Sequence, residues 1–254
     1  MKEIVGVKNL HVGYGDYVVL KDLNFAINLE EITVIVGKSG CGKSTVLKSL
    51  IGLLPPISGE IFFRGEKMDY LSETSLQTLY KQIGVLYQNS ALLNSLTLYE
   101  NIALPIKMRH PDLPAAIERE MVNTRLSQVG LLENRDKFPA ELSGGMKKRA
   151  ALARAIILDP AIIFCDEPSS GLDPITAGGL DELMLNLKEF FGLTFVVVTH
   201  ELRSIEKIAD NVLVLDNGGL HYFGPYRDLF TLKDRFIDTF FLKDINDDYK
   251  RTKI

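Results

Sequence analysis

The chain has 254 residues, 46% hydrophobic and 24% charged, and its 29 Lys and Arg against 33 Asp and Glu give a formal charge of −4. That length buries a full α/β core without staples, while the two cysteines, Cys41 and Cys165, are too few for a disulfide framework and read as free thiols in a reducing compartment. Nonspecific nucleic-acid binding has no electrostatic basis here, and no apolar run nears the ~20 residues of a membrane span. The first ten residues mix Lys2, Glu3, Lys8 and Asn9 among apolar ones and show no secretory core, so a soluble cytoplasmic domain is expected.

Along the chain, Leu23, Phe25, Ile27 and Leu29 alternate with polar or small residues, as in a half-buried antiparallel strand. Residues 32–36 are instead continuously apolar or β-branched, which predicts a strand buried on both faces. A glycine-rich turn and a helix over 42–51 follow. Pro55, Pro56, Ser58 and Gly59 then mark a loop before a short strand at 60–63. From about 90 to 159 helical periodicity dominates, with breaks expected at Pro105, Pro111, Pro114 and Pro139. Strand-like runs return at 162–165, 193–199 and 212–216, separated by helical stretches. The pattern is a parallel α/β core with an antiparallel N-terminal portion and a helical insertion.

Gly37-Lys38-Ser39-Gly40-Cys41-Gly42-Lys43-Ser44-Thr45 fits G-x4-G-K-[ST] between a buried strand and a helix. Glycines let successive N–H groups curl inward toward phosphate oxygens, and the helix N-terminus adds its positive end. Lys43 then supplies a point charge for the β- and γ-phosphates and Ser44 a hydroxyl for Mg²⁺. Cys41 sits among these N–H groups, which favour a thiolate; the plainer reading is a small loop residue with no chemical role. At 162–167 an apolar strand ends in two carboxylates, Asp166 and Glu167. One can hold Mg²⁺ through water and the other can polarise an attacking water, although alone such a pair is an ordinary solvated loop. Leu142-Ser143-Gly144-Gly145-Met146 opens a helix bearing Lys147, Lys148, Arg149 and Arg154, which on their own are a capped helix with a solvated basic face.

This ordered set resembles the ATP-binding-cassette (ABC) ATPases over residues 1–230, with a helical subdomain inserted at about 90–159 and an extension at 231–254. The resemblance implies a P-loop NTPase (RecA-like) α/β fold and ATP hydrolysis with Mg²⁺. It places Tyr14 at the adenine-stacking position, with Tyr17 a competing candidate, Gln88 at the Q-loop and Ser143, Gly144 and Gly145 in the signature. Asp166 and Glu167 complete Walker B, Asp173 falls in the D-loop and His200 is the switch histidine. By the same resemblance Glu167 orients water, His200 contacts the γ-phosphate, and Gln88 joins Ser44 and Asp166 around Mg²⁺. Two copies are expected to pack head to tail, so that Ser143 and Gly145 of one face the nucleotide of the other.

The signature methionine, the run from Gly144 to Ala155 and Val196-Val197-Val198-Thr199-His200-Glu201-Leu202 look like the ATPases of Mla- and Mce-type lipid transporters. That likeness implies a homodimer peripheral on the inner membrane, a multispanning permease, an Mce-type lipid-binding subunit and no nucleic acid. Residues 88–108, rich in leucine and isoleucine, are the expected permease-docking segment. Leu229, Leu232, Phe236, Ile237, Phe240 and Phe241 recur at helical spacing. They form either a helix packed on its own domain or, with the tail after Asp244, a reach to the second subunit.

Overall fold

The computed structural model describes residues 2–241. In chain order it contains β1 (Glu3–Tyr14), β2 (Tyr17–Asn28), β3 (Ile32–Gly37), α1 (Lys43–Leu50), β4 (Ser58–Phe63), β5 (Glu66–Lys67), α2 (Glu73–Tyr80) and β6 (Ile83–Leu86). The helical insertion follows with α3 (Leu98–Arg109), α4 (Ala115–Gln128) and α5 (Gly144–Ile156). Then come β7 (Ile162–Asp166), α6 (Pro174–Phe191), β8 (Thr194–Val198), α7 (Leu202–Ile208), β9 (Asn211–Asp216) and β10 (Gly219–Pro225).

Two sheets form. An antiparallel one runs β2-β1-β4-β5, and a six-stranded one runs β10-β9-β3-β8-β7-β6, parallel except for the β10 hairpin. β3 and β8 are buried at every position, as their unbroken β-branched sequences require. One core, including Ile35, Phe164 and Val196, lies between the sheets around α1; the other, including Val34, Cys165 and Val197, lies under the helical insertion. The register aligns Asp166 with Val198 and Leu86 with Cys165, so the C-terminal ends of β3, β6, β7 and β8 open on one edge.

Four elements depart from the sequence reading. The N-terminal residues form β1, whose alternation is broken by register shifts and by Asn9 at φ 47°. β6 and β10 are also strands the pattern did not reveal. Pro105 does not break its helix: α3 runs through it. Its start is fixed by a capping box, in which Thr97 Oγ1 accepts from Glu100 N–H and Glu100 Oε2 accepts from Thr97 N–H. Leu98, Ile102 and Ile106 bury one stripe on either side of the proline, and that packing outweighs its lost hydrogen bond.

After β10 the chain makes a 3-10 turn (Tyr226–Leu232) and, past Lys233 at φ 49°, a helix over 235–241. The break at Lys233 divides the single stripe expected from the sequence. Leu229, Ile237 and Phe241 are buried in the chain's own core, whereas Leu232 is exposed. The tail after Asp244 lies outside the described residues.

Candidate functional site

The loop after β3 wraps tightly onto β2. Gly42 sits at φ 103°, and a Cβ there would come 2.8 Å from Leu20 and 3.0 Å from Val19, so the cradle excludes a side chain on both counts. Lys43 Nζ donates to Gly37 O (2.8 Å) and Lys38 O (3.2 Å), holding the ammonium at the mouth of the loop. Backbone N–H groups of Thr45 and Val46 are taken by Gly42 O as α1 begins. Ser44 faces Asp166 at the end of β7, two strands away, closely enough to draw its carboxyl pKa down. Burial and the neighbouring Glu167 raise the Asp166 carboxyl above its usual range, against the pull of Lys48, Lys43 and Ser44. Cys41 also titrates upward, because burial outweighs the Lys43 charge and the loop N–H groups. The expected thiolate preference is therefore reversed, and the residue acts as a half-buried filler.

Glu167 is one residue beyond β7 at φ 47°, a left-handed conformation that a side chain disfavours. Its N–H donates to Val198 O (2.8 Å), and His200 Nδ1 lies 2.9 Å from its Oε1. The other oxygen, Oε2, is buried without a hydrogen-bond partner, an acceptor left unsatisfied. Among the described residues there is no cluster of three His, Cys, Asp or Glu suited to a metal. The Ser44 hydroxyl with the Asp166 carboxylate does match a Mg²⁺ ion, which takes one or two carboxylates and completes its shell with water and phosphate.

Tyr14 pairs with Tyr17 across the β1–β2 turn. Lys48 Nζ reaches the Tyr14 hydroxyl at 3.5 Å and stands 5.9 Å from its ring centroid, while Tyr17 is 73% exposed. Lys38, second in the loop, lies 3.9 Å from Asp216 and 4.9 Å from the Phe236 ring. Phe236 in turn packs on His221, which is paired with Asp234, the residue accepting from the first N–H groups of the 235–241 helix.

The structure leaves the signature residues apart from this cluster. Ser143 caps α5 by accepting from Met146 N–H. Gly145 lies against α6 so closely that a Cβ would come 2.3 Å from Thr176. Asp173 caps α6, accepting from Ile175 and Thr176 N–H (3.1 Å each) and from the Thr176 hydroxyl (2.5 Å). Ser143, Gly144, Gly145 and Asp173 thus share the α5–α6 side of the chain.

Three of the basic residues of α5 are not a solvated face. Arg154 donates to Ser90 O and Ala91 O, and Arg149 to Val129 O and Gly179 O. Lys148, only 5% exposed, donates to Gln88 O and to Glu167 O (3.3 Å). Burial lowers the pKa of its ammonium, while Cys165, Glu167 and Asp166 oppose that shift. A sequence signal for it existed: Lys148 shares the buried stripe of Gly145, Leu152 and Ile156, where a lysine is out of place.

Comparison with known proteins follows the same outline. An ABC transporter family profile matches residues 20–170. The "probable ribonucleotide transport ATP-binding protein mkl" of Mycobacterium leprae is 39% identical over 93% of this chain and 68% of its own length. The intermembrane phospholipid transport system ATP-binding protein MlaF of Haemophilus influenzae is 41% identical over 84% and 81%. The methionine import ATP-binding protein MetN of Carboxydothermus hydrogenoformans is 36% identical over 94% and 73%. Among solved structures, CbiO1 of Clostridium perfringens, part of the ABC transporter complex cbiONQ, superposes with a TM-score of 0.84 at 29% identity, covering 94% of this chain and 95% of its own. The cassette MJ0796, a dimer in a post-hydrolysis state with ADP and Pi, gives 0.78 at 30% identity over 87% and 98%.

Proposed function

The chain belongs to the ABC transporter family as an ATP-hydrolysing cassette with the P-loop NTPase fold, and from that premise we propose that it powers phospholipid movement through a separate inner-membrane permease. The observation that carries the hydrolytic part is the strand-edge corner where Glu167, with one oxygen on His200 and the other buried and unpartnered, stands beside the Asp166–Ser44 pair. Lipid as cargo is supported by the extent of the likeness to MlaF.

In this reading loop N–H groups between Gly37 and Ser44 and the Lys43 ammonium hold the β- and γ-phosphates of ATP, and Tyr14 stacks on adenine. Ser44, Asp166 and Gln88 would hold a Mg²⁺ ion, which would supply positive charge beside the phosphate oxygens. The Glu167 carboxylate accepts a hydrogen bond from the attacking water, and His200 steadies that carboxylate through Oε1 and reaches the γ-phosphate. Ser143, Gly144, Gly145 and Asp173 serve the nucleotide of a second copy, so closure of a homodimer completes each site. The dimeric MJ0796 cassette supports that arrangement.

No helix among the described residues is long and apolar enough to cross a membrane. In this reading the chain works as a cytoplasmic subunit peripheral on the membrane. It binds the permease through the exposed members of residues 88–108, Leu93 and Met108, with Tyr87 beside them. An Mce-type lipid-binding subunit completes the complex. Leu98, Ile102 and Ile106 are committed to the insertion's own core.

The test is purification of the native complex followed by lipid extraction and ATPase assay. A co-purifying multispanning protein with bound phospholipid, and turnover lowered about 10²–10⁴-fold by Glu167→Gln with ATP binding kept, is the expected result. A second reading, import of a small solute, has the likeness to MetN behind it. A complex free of phospholipid whose ATPase responds to methionine would replace the first reading with this one.

A further inference from the structure

Glu167 and Gln88 follow the ends of different strands, β7 and β6, and one side chain holds both backbones. The Lys148 ammonium donates to the carbonyl of each. Glu167 occupies a left-handed conformation that a side chain disfavours. Its N–H is pinned to β8 through Val198 O, and its carbonyl is pinned to α5 through Lys148. With both flanking peptide groups fixed, the Cα–Cβ bond is aimed and the carboxylate meets His200. α5 is also the helix that begins at the Ser143 cap, about 7.5 Å along the axis from Lys148.

We propose that Lys148 is a positioning residue for hydrolysis, its ammonium tying the signature helix to the backbones of Glu167 and Gln88 so that displacement of α5 is carried to both. This rests on the reading of Glu167 as the group that orients water. A rigid helix, a buried ammonium and two backbone carbonyls make the link continuous, and each of its parts is a direct contact. A lysine suits the place because it offers three donors and no acceptor, and carbonyl oxygens need nothing else.

The test is a cycle of Lys148→Met and Glu167→Gln in the full chain, with ATP affinity, steady-state kinetics and single-turnover hydrolysis measured for each. Misaiming the carboxylate is expected to lower kcat about 10–100-fold with KM and ATP affinity within about threefold of wild type. In the Glu167→Gln background the same lysine change should cost less than about threefold, because the aimed group is already gone. Lys148→Arg, which restores donors, should recover most of kcat. An equal loss in both backgrounds, or a loss confined to KM, would overturn the proposal. So would wild-type kcat in Lys148→Met while Glu167→Gln is inactive. Wild-type turnover in Glu167→Gln would instead sink the reading of Glu167 itself. Should Lys148→Met fail to melt cooperatively, Lys148→Gln, a shorter donor, carries the same cycle with the same outcomes.

Discussion

Asn101 is fully buried in α3, and its amide stitches the loop that precedes the helix. Oδ1 accepts from Leu93 N–H (2.8 Å), while Nδ2 faces the carbonyls of Leu93, Leu96 and Thr97 at 3.0–3.1 Å. Asn101→Ala removes all of these together, a loss of about 2–4 kcal/mol for the several part-buried hydrogen bonds. For a chain of this size that lowers Tm by roughly 4–16 °C. Asn101→Asp makes a sharper test. The carboxylate keeps the acceptor for Leu93 but turns a donor into an oxygen against three carbonyls, so its folded pKa must rise above the unfolded value of about 3.9. A raised folded pKa gives stability that is fully present below the unfolded pKa and lost as pH climbs through the folded one. Thermal melts from pH 4 to 8 should therefore show Asn101→Asp falling steadily relative to Asn101→Ala until the carboxyl has ionised. A pH-independent gap between the two would refute the donor assignment, and wild-type Tm in Asn101→Ala would refute the stitching.

Ser143→Arg should bind ATP as wild type yet hydrolyse it at less than about a hundredth of the wild-type rate, and mixing it with Lys43→Ala should restore at most one working site per pair; full activity of Ser143→Arg alone would dismiss a shared site. Asp166, whose folded pKa is raised chiefly by burial and then by Glu167, costs the nucleotide-free chain stability as pH rises from its unfolded pKa through the folded one. The stability advantage of Asp166→Asn, read from urea midpoints, should accordingly grow across that window, and a constant difference would contradict the shift. Leu93→Glu places a charge on an exposed side chain. It should leave the melt unchanged while abolishing co-purification with the permease; an intact complex would remove Leu93 from the docking surface.

The residues of the phosphate loop were legible because their chemistry demands fixed types at fixed spacing on one stretch of chain. The same holds for Asp166 and Glu167, where an apolar strand must stop before a carboxylate can face solvent. Lys148 was hidden for the opposite reason: its partners are carbonyl oxygens, which every residue has, so nothing in positions 88 or 167 advertises them. β1 escaped detection because register shifts and the left-handed Asn9 spoil its alternation. Pro105 was misread since local preference said break, whereas the buried stripe of Leu98, Ile102 and Ile106 and the Thr97 cap decided otherwise. The C-terminal stripe was right in its apolar content and wrong in its continuity, which a single left-handed residue, Lys233, interrupts.

The packing of Phe236 between His221 and Lys38 gives the molecule an optical handle. The chain has no tryptophan, so Phe236→Trp would create its sole indole, with a ring in the place now 4.9 Å from a P-loop ammonium. Indole emission is sensitive to a cation at that range. A change in the loop's charge environment on filling with nucleotide would then be written directly into the fluorescence of one residue, without a dye or a labelled ligand. Binding and release could be followed in the same cuvette as hydrolysis.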